Sequence, residues 1–329
     1  MTLRSLTIAF AAMLGACLAG PLDAATPARD NGLQLIDLTD DFDRVWTETR
    51  DLPDQQRVDA FETRFAKILP GFYSADRAQI KDFMTPEKYR AFVLKGLKAY
   101  PEQREGIQRV SGEFASLIAP AQKSFEKAFG PMLGYPPVYL VISFGEFDGG
   151  TRDLPEGTRL MFGADVIAKL YKDKPIQPFL HHELFHILHH RTFQECDTVW
   201  CNLWSEGLAV YVASQLNPGA SDASLLLTYP SSLRDAVEAH RTEALCAVRG
   251  RLNSTDPKDA APLFIGGSTP LSPNLPPRFA YYVGYVVAQD LGRTRSLKQL
   301  AAMKNDEVRP LVEQSLARMT SCMAASERG

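Results

Sequence analysis

No sign of charge dominates this chain: 36 basic residues stand against 39 acidic ones, for a net charge of −3. With no basic patch and no stacking motif, nothing points to nucleic acid as a partner. Apolar runs are short too. Past the first two dozen residues, no segment reaches the ~20 apolar residues that a bilayer-spanning helix needs. The cysteines form no C-x-x-C pair, which argues against a cysteine-based metal site. Internal repeats are missing. Histidine is scarce, at six in 329 residues, and its placement is therefore informative. Five of the six (His181, His182, His186, His189 and His190) fall within ten positions, and only His240 lies elsewhere.

The amino terminus sets the compartment. Arg4 precedes an uncharged stretch, Ser5 to Pro21, that contains Leu6, Ile8, Phe10, Met13 and Leu14. This is the layout of an export signal, with a positive start and an apolar segment too short to span a membrane stably. Leu14-Gly15-Ala16-Cys17 resembles a bacterial lipobox, which would lipidate Cys17 and anchor the protein; cleavage near Ala24-Ala25 would instead release it soluble. Either route gives an exported protein, periplasmic or secreted, with membrane contact only through that lipid. Four further cysteines are an even set in an oxidising compartment. The expected pairs are Cys196–Cys201, between two helices, and Cys246–Cys322, which would tie down the tail.

Hydrophobic periodicity predicts an α+β chain, mostly helical, with a small mixed sheet. Residues 1–25 read as the signal, 26–130 as a helical region after a polar tether, and 131–329 as the domain that carries the chemistry. Helical spacing links Phe42, Val45 and Trp46, then Val58, Phe61 and Phe65, then Phe92, Val93 and Leu97, with breaks expected at Pro70-Gly71 and Tyr100-Pro101. Val138–Phe144 and Thr158–Phe162 are rich in β-branched and aromatic residues and predict strands. Residues 250–277 read as a loop, and helices are expected at about 230–249, 277–291 and 306–319.

The chemistry centres on His182-Glu183-Leu184-Phe185-His186, an H-E-x-x-H pattern. Phe179, Leu180, Leu184, Ile187 and Leu188 supply an apolar stripe, so the segment predicts a helix. On it, His182 and His186 project from one face a turn apart and can share one tetrahedral zinc. Glu183 sits about 100° round the helix, within reach of a water at that metal without ligating it. Glu206 is the candidate third ligand, in Trp204-Ser205-Glu206-Gly207 on a second predicted helix that Asn202 or Ser205 would cap. Two histidines and one glutamate leave a fourth position open, as catalytic zinc sites do. His189 and His190 follow His186 by three and four residues and read as outer partners of the site or as surface residues. His181 faces elsewhere.

H-E-x-x-H followed by a glutamate in a W-x-E-G setting resembles the gluzincin metallopeptidases, which include thermolysin-like and aminopeptidase-like enzymes. More narrowly, the chain is similar to a bacterial family of predicted zinc-dependent proteases of unassigned substrate. Gly149-Gly150-Thr151, Met161-Phe162-Gly163, the metal helix, Trp204–Gly207 and Tyr281-Tyr282-Val283-Gly284-Tyr285 carry the likeness, over about residues 137–320. The resemblance implies a thermolysin-like zincin core with helical N-terminal and C-terminal parts. It implies one Zn2+ per chain on His182, His186 and Glu206, with a peptide or protein as substrate. Glu183 would activate water, and Tyr281, in its Y-x-x-G context, would stabilise the oxyanion; Tyr285, Tyr282 and His240 are alternatives to Tyr281. Residues 158–162 would form the strand edge on which an extended substrate lies, with Gly163 allowing close approach. One departure stands out. Thermolysin-like enzymes place an acid four residues after the glutamate ligand to orient a histidine, and here that residue is Val210. Two other classes stay open: a zinc hydrolase of a non-peptide amide or ester, and a non-catalytic envelope protein stabilised by its metal.

Overall fold

A computed structural model describes residues 32–322, save 78, 79, 173 and 195. The expected signal segment and Cys17 lie outside the described residues. In chain order the elements are β1 (Leu35–Asp37), α1 (Thr39–Thr49), α2 (Asp54–Ile68), α3 (Pro86–Phe129), β2 (Val138–Val141), β3 (Gly149–Leu154), β4 (Gly157–Gly163) and α4 (Ala164–Leu170). They continue with α5 (Gln177–His189), α6 (Val199–Leu216), α7 (Leu233–Ala239), α8 (Arg241–Arg249), α9 (Pro257–Phe264), α10 (Ala280–Gly292), α11 (Leu297–Ala301) and α12 (Asn305–Met319). The chain is α+β, mostly helical, with one small mixed sheet. No described helix is long and apolar enough to cross a membrane.

The contacts divide the chain into two compact units. One joins the N-terminal helices, up to Lys123, to the sheet segment Pro131–Ile176. The other joins Ser124–Gly130, the end of α3 and the glycine after it, to everything from Gln177 onward.

In the first unit the sheet runs β1-β2-β4-β3, with β3 antiparallel to β4 and the other pairs parallel. This corrects the expected edge strand. β4 is paired on both sides, so its buried run Leu160, Met161 and Phe162 is that of an interior strand. The open edge on that side belongs to β3. Gly163 is also explained from within, because a side chain there would meet the Phe147 carbonyl oxygen at 2.1 Å. β1 turns part of the expected polar tether into a short strand, held in register with Val138–Leu140.

The helical core of this unit is aromatic. Phe42 packs at 4.9 Å from Tyr100 and 5.9 Å from Phe61, and Phe144 lies 5.5 Å from Phe61. The predicted break at Tyr100-Pro101 does not occur, and α3 runs straight through Pro101. Proline removes the N–H that would bond the carbonyl four residues back, which is that of Leu97. Here the buried Arg57 guanidinium donates to the Leu97 oxygen at 3.4 Å, so the orphaned acceptor is satisfied from α2.

In the second unit α6 is flanked by α5 and α10. α6 begins at Val199 after Thr198, so Asn202 and Ser205 lie inside the helix and cap nothing. Its first N–H groups are satisfied instead by backbone: Val199 donates to Ser254 O at 3.1 Å and Trp200 to Leu252 O at 2.9 Å. The expected 230–249 helix is two, α7 and α8, parted at His240, and the expected loop at 250–277 contains α9. Both disulfides form as expected, Cys196–Cys201 and Cys246–Cys322.

Candidate metal centre

Two glycines set the site's geometry. A side chain on Gly207 would meet the Gly284 backbone at 2.2 Å, and one on Gly284 would meet the Leu203 carbonyl at 2.3 Å. α6 and α10 therefore cross backbone to backbone, a contact open only to glycine. Glu206 immediately precedes one of these glycines and Tyr281 lies one turn before the other. The crossing thus brings the acid and the phenol into electrostatic contact.

α5 supplies the histidines. Phe179, Leu180, Leu184 and Phe185 bury its apolar face, and His181 anchors it, fully buried between Ser124 Oγ (2.7 Å) and Asn217 Nδ2 (2.8 Å). His181 is thereby a structural residue. His182 and His186 turn their Nε2 atoms toward the same point, 3.0 Å apart. Glu206 Oε2 completes the triangle at 3.3 Å from His182 Nε2 and 3.6 Å from His186 Nε2. Ligand atoms at about 2.0–2.1 Å from a tetrahedral ion lie about 3.3–3.4 Å from one another. The three observed edges bracket that value. Among the described residues, these three form the group able to hold a metal ion.

The electrostatics agree. Burial pushes the His182 imidazole down to about 4, so at neutral pH it is uncharged, with a lone pair to offer. Burial alone would push the Glu206 carboxyl up; the two imidazoles more than offset it and hold Glu206 well below the usual range. One carboxylate oxygen and two imidazole nitrogens at these distances are a donor set that could hold a cation. Solvent reaches it, since the Glu206 side chain keeps 26% and His186 12% of their exposure.

Glu183 is buried on α5 beside His182. Tyr281 is part-buried, and its phenol is raised above the ordinary value by burial first and then by the Glu206 carboxylate. The alternatives to Tyr281 are engaged elsewhere. The Tyr282 hydroxyl donates to Glu238 at 2.8 Å and accepts from Arg234 at 3.0 Å. Tyr285 packs between Tyr282 (5.7 Å) and Tyr211 (6.0 Å). His240 faces Glu243 at 3.9 Å, at the junction of α7 and α8.

His189 is no ligand of this group. It is fully buried between Phe185 (5.2 Å) and Phe193 (4.6 Å, nearly parallel), and neither ring nitrogen has a hydrogen-bond partner. Burial and the neighbouring histidines hold it down at about 3. His190 is exposed, with its ring 6.0 Å from that of His186. No family model, curated protein or solved structure matches the chain.

Two features take on meaning only in three dimensions. Val210, one turn beyond Glu206, is fully buried and has no polar atom to offer, and the Nδ1 of His182 has no partner among the described residues. The second is Arg278, whose guanidinium lies 4.0 Å from the Tyr281 ring centroid and bears electrostatically on His182. Nothing in its local pattern marks it, apart from its place between Pro276-Pro277 and the tyrosine helix.

Proposed function

We propose that this chain is an exported zinc metallopeptidase of the gluzincin type, with a thermolysin-like catalytic core and one Zn2+ per chain. The observation that carries the reading is the His182–His186–Glu206 triangle, whose edges suit one tetrahedral ion. Two imidazoles and a carboxylate suit zinc and leave a position for water. Zinc held there supplies the Lewis acidity that activates water and polarises a scissile carbonyl. The chain's own residues do the rest. Glu183 takes the proton from the attacking water and hands it to the departing amine nitrogen. Tyr281 donates its phenol hydrogen to the oxygen that becomes negative as the carbonyl turns tetrahedral. A site built only for stability has no need of a carboxylate in the place of Glu183, which favours an enzyme over a metal-stabilised envelope protein. The disulfides fit the oxidising compartment to which an export signal leads.

The test is zinc content and peptide-library cleavage, with and without chelator, for wild type and Glu183→Gln. The reading expects one zinc in both proteins and chelator-sensitive cleavage by wild type, reduced at least about 100-fold in the variant. Full zinc with cleavage of esters or non-peptide amides alone would replace peptidase by another hydrolase. Equal activity in Glu183→Gln would remove the mechanism.

A further inference from the structure

Arg278 occupies a backbone conformation that glycine would adopt more cheaply, with φ at +74°. A long charged side chain persists there only where its surroundings hold it, and here several contacts do. Its N–H donates to the Pro262 oxygen at 3.0 Å, and its guanidinium donates to the Leu226 carbonyl at 2.8 Å. Leu226 is itself left-handed, at φ +64°. Two chain reversals, one in each flanking loop, are thus joined through one side chain. The guanidinium then lies over the Tyr281 ring at 4.0 Å, while the Tyr281 N–H donates back to the Arg278 oxygen at 3.1 Å. A turn built only to start α10 would need none of the guanidinium contacts.

We propose that Arg278 is a positioning residue that clamps the Tyr281 ring, so that its hydroxyl stays beside Glu206 and ready for the substrate oxyanion. The inference deepens the peptidase reading and rests on it for its catalytic meaning, while the clamp itself is a property of the chain. A phenol on a free ring would spend part of its time turned away from the reacting oxygen. A cation on the ring face, tied at its far end to Leu226, removes that freedom before substrate arrives, which is how a preorganised donor gains over a mobile one. Arg278 touches no reacting atom in this account; it acts through Tyr281.

The decisive experiment is a double-mutant cycle of Arg278→Gln and Tyr281→Phe in the zinc-loaded protein. Two quantities are read: steady-state cleavage and calorimetric affinity for a peptide phosphonate that mimics the tetrahedral oxyanion. With Tyr281 present, Arg278→Gln should lower kcat on the order of 10-fold with KM within about twofold, and weaken the phosphonate by a similar factor. In the Tyr281→Phe background the same change should cost less than about twofold. Arg278→Lys, which keeps a cation, should recover part of the loss and guards against a variant that fails to fold. Equal losses in both backgrounds would overturn the proposal, because Arg278 would then act independently of Tyr281.

A second readout needs no activity. In protein labelled with 3-fluorotyrosine, the 19F resonance that disappears in Tyr281→Phe should shift or broaden in Arg278→Gln. An unchanged resonance would overturn the clamp. A wild type that binds neither zinc nor phosphonate, with the 19F response intact, would break the peptidase reading and leave the clamp standing.

Discussion

Asp165 and Glu206 are both carboxylates drawn largely out of solvent, one in each compact unit, and their surroundings differ in kind. Asp165 meets donors. Ser143 N–H reaches it at 2.7 Å, Ser143 Oγ at 3.0 Å and Gly145 N–H at 2.6 Å. Burial still raises its pKa, with these bonds working against the shift. Glu206 meets the Nε2 atoms of His182 and His186 at 3.3 and 3.6 Å, with the Tyr281 phenol beside it. A buried acid ringed by N–H and O–H groups is complete, and it shapes a loop. A half-buried acid whose oxygen converges with two imidazole nitrogens makes a donor set that could hold a cation. That difference separates scaffold from site more sharply than burial does.

Exchanging each acid for its amide tests the contrast at its widest. Glu206→Gln should lose at least about 100-fold in zinc affinity, beyond the 10–100-fold typical of losing an outer partner, and peptidase activity with it. Asp165→Asn should keep its zinc and lose about 1–3 kcal/mol of stability in denaturant titration, the cost of disturbing buried hydrogen bonds. If Asp165→Asn released zinc, or Glu206→Gln kept it, the comparison would collapse.

Both covalent staples lie in the unit that holds the candidate metal site. Cys246 and Cys322 are 76 residues apart in sequence, Cys196 and Cys201 only five. On loop entropy, replacing the first pair by serines should cost about 4.5 kcal/mol and the second about 2 kcal/mol, read from urea midpoints. Equal costs would mean that native packing, and not chain closure, sets their worth.

The stacked imidazole adds a pH dependence to the same unit. His189 titrates at about 3 when folded and at about 6.5 when unfolded. Between those values the unfolded chain binds a proton that the folded chain does not. Its contribution to stability is therefore fully present above about pH 6.5 and is lost as pH falls toward about 3, by roughly 5 kcal/mol in all. The pH series of unfolding midpoints for His189→Phe should be flatter than that of wild type by this amount. Parallel curves would show that His189 does not titrate as its burial demands.

A further effect is steric. Gly207→Ala forces a methyl group against the Gly284 backbone and should cost about 1–3 kcal/mol. It should also move Glu206 enough to weaken zinc binding. An alanine variant with wild-type zinc affinity would show that the helix crossing does not set the ligand geometry.

Much of the site was legible because it is local. The four-residue spacing of His182 and His186 survives any tertiary arrangement, and so does the fixed offset of Glu206 from Gly207 and of Tyr281 from Gly284. What those glycines do was not legible, since their contact joins positions 77 apart in the chain. The continuity of α3 through Pro101 depends on a guanidinium from α2. The interior place of β4 depends on pairing that no strand's own sequence reveals. Arg278 was hidden for the same reason, its role lying in a stack and a positive φ. Val210 was visible as a departure from the family's pattern, whereas the His182 Nδ1 without a partner among the described residues became visible only in three dimensions.

The most direct test of the central claim is X-ray absorption at the zinc edge on protein purified without added metal. The account predicts stoichiometric zinc with two imidazole nitrogens and light oxygen ligands at about 2.0–2.1 Å and no sulfur. Substoichiometric zinc, or a sulfur shell near 2.3 Å, would contradict it.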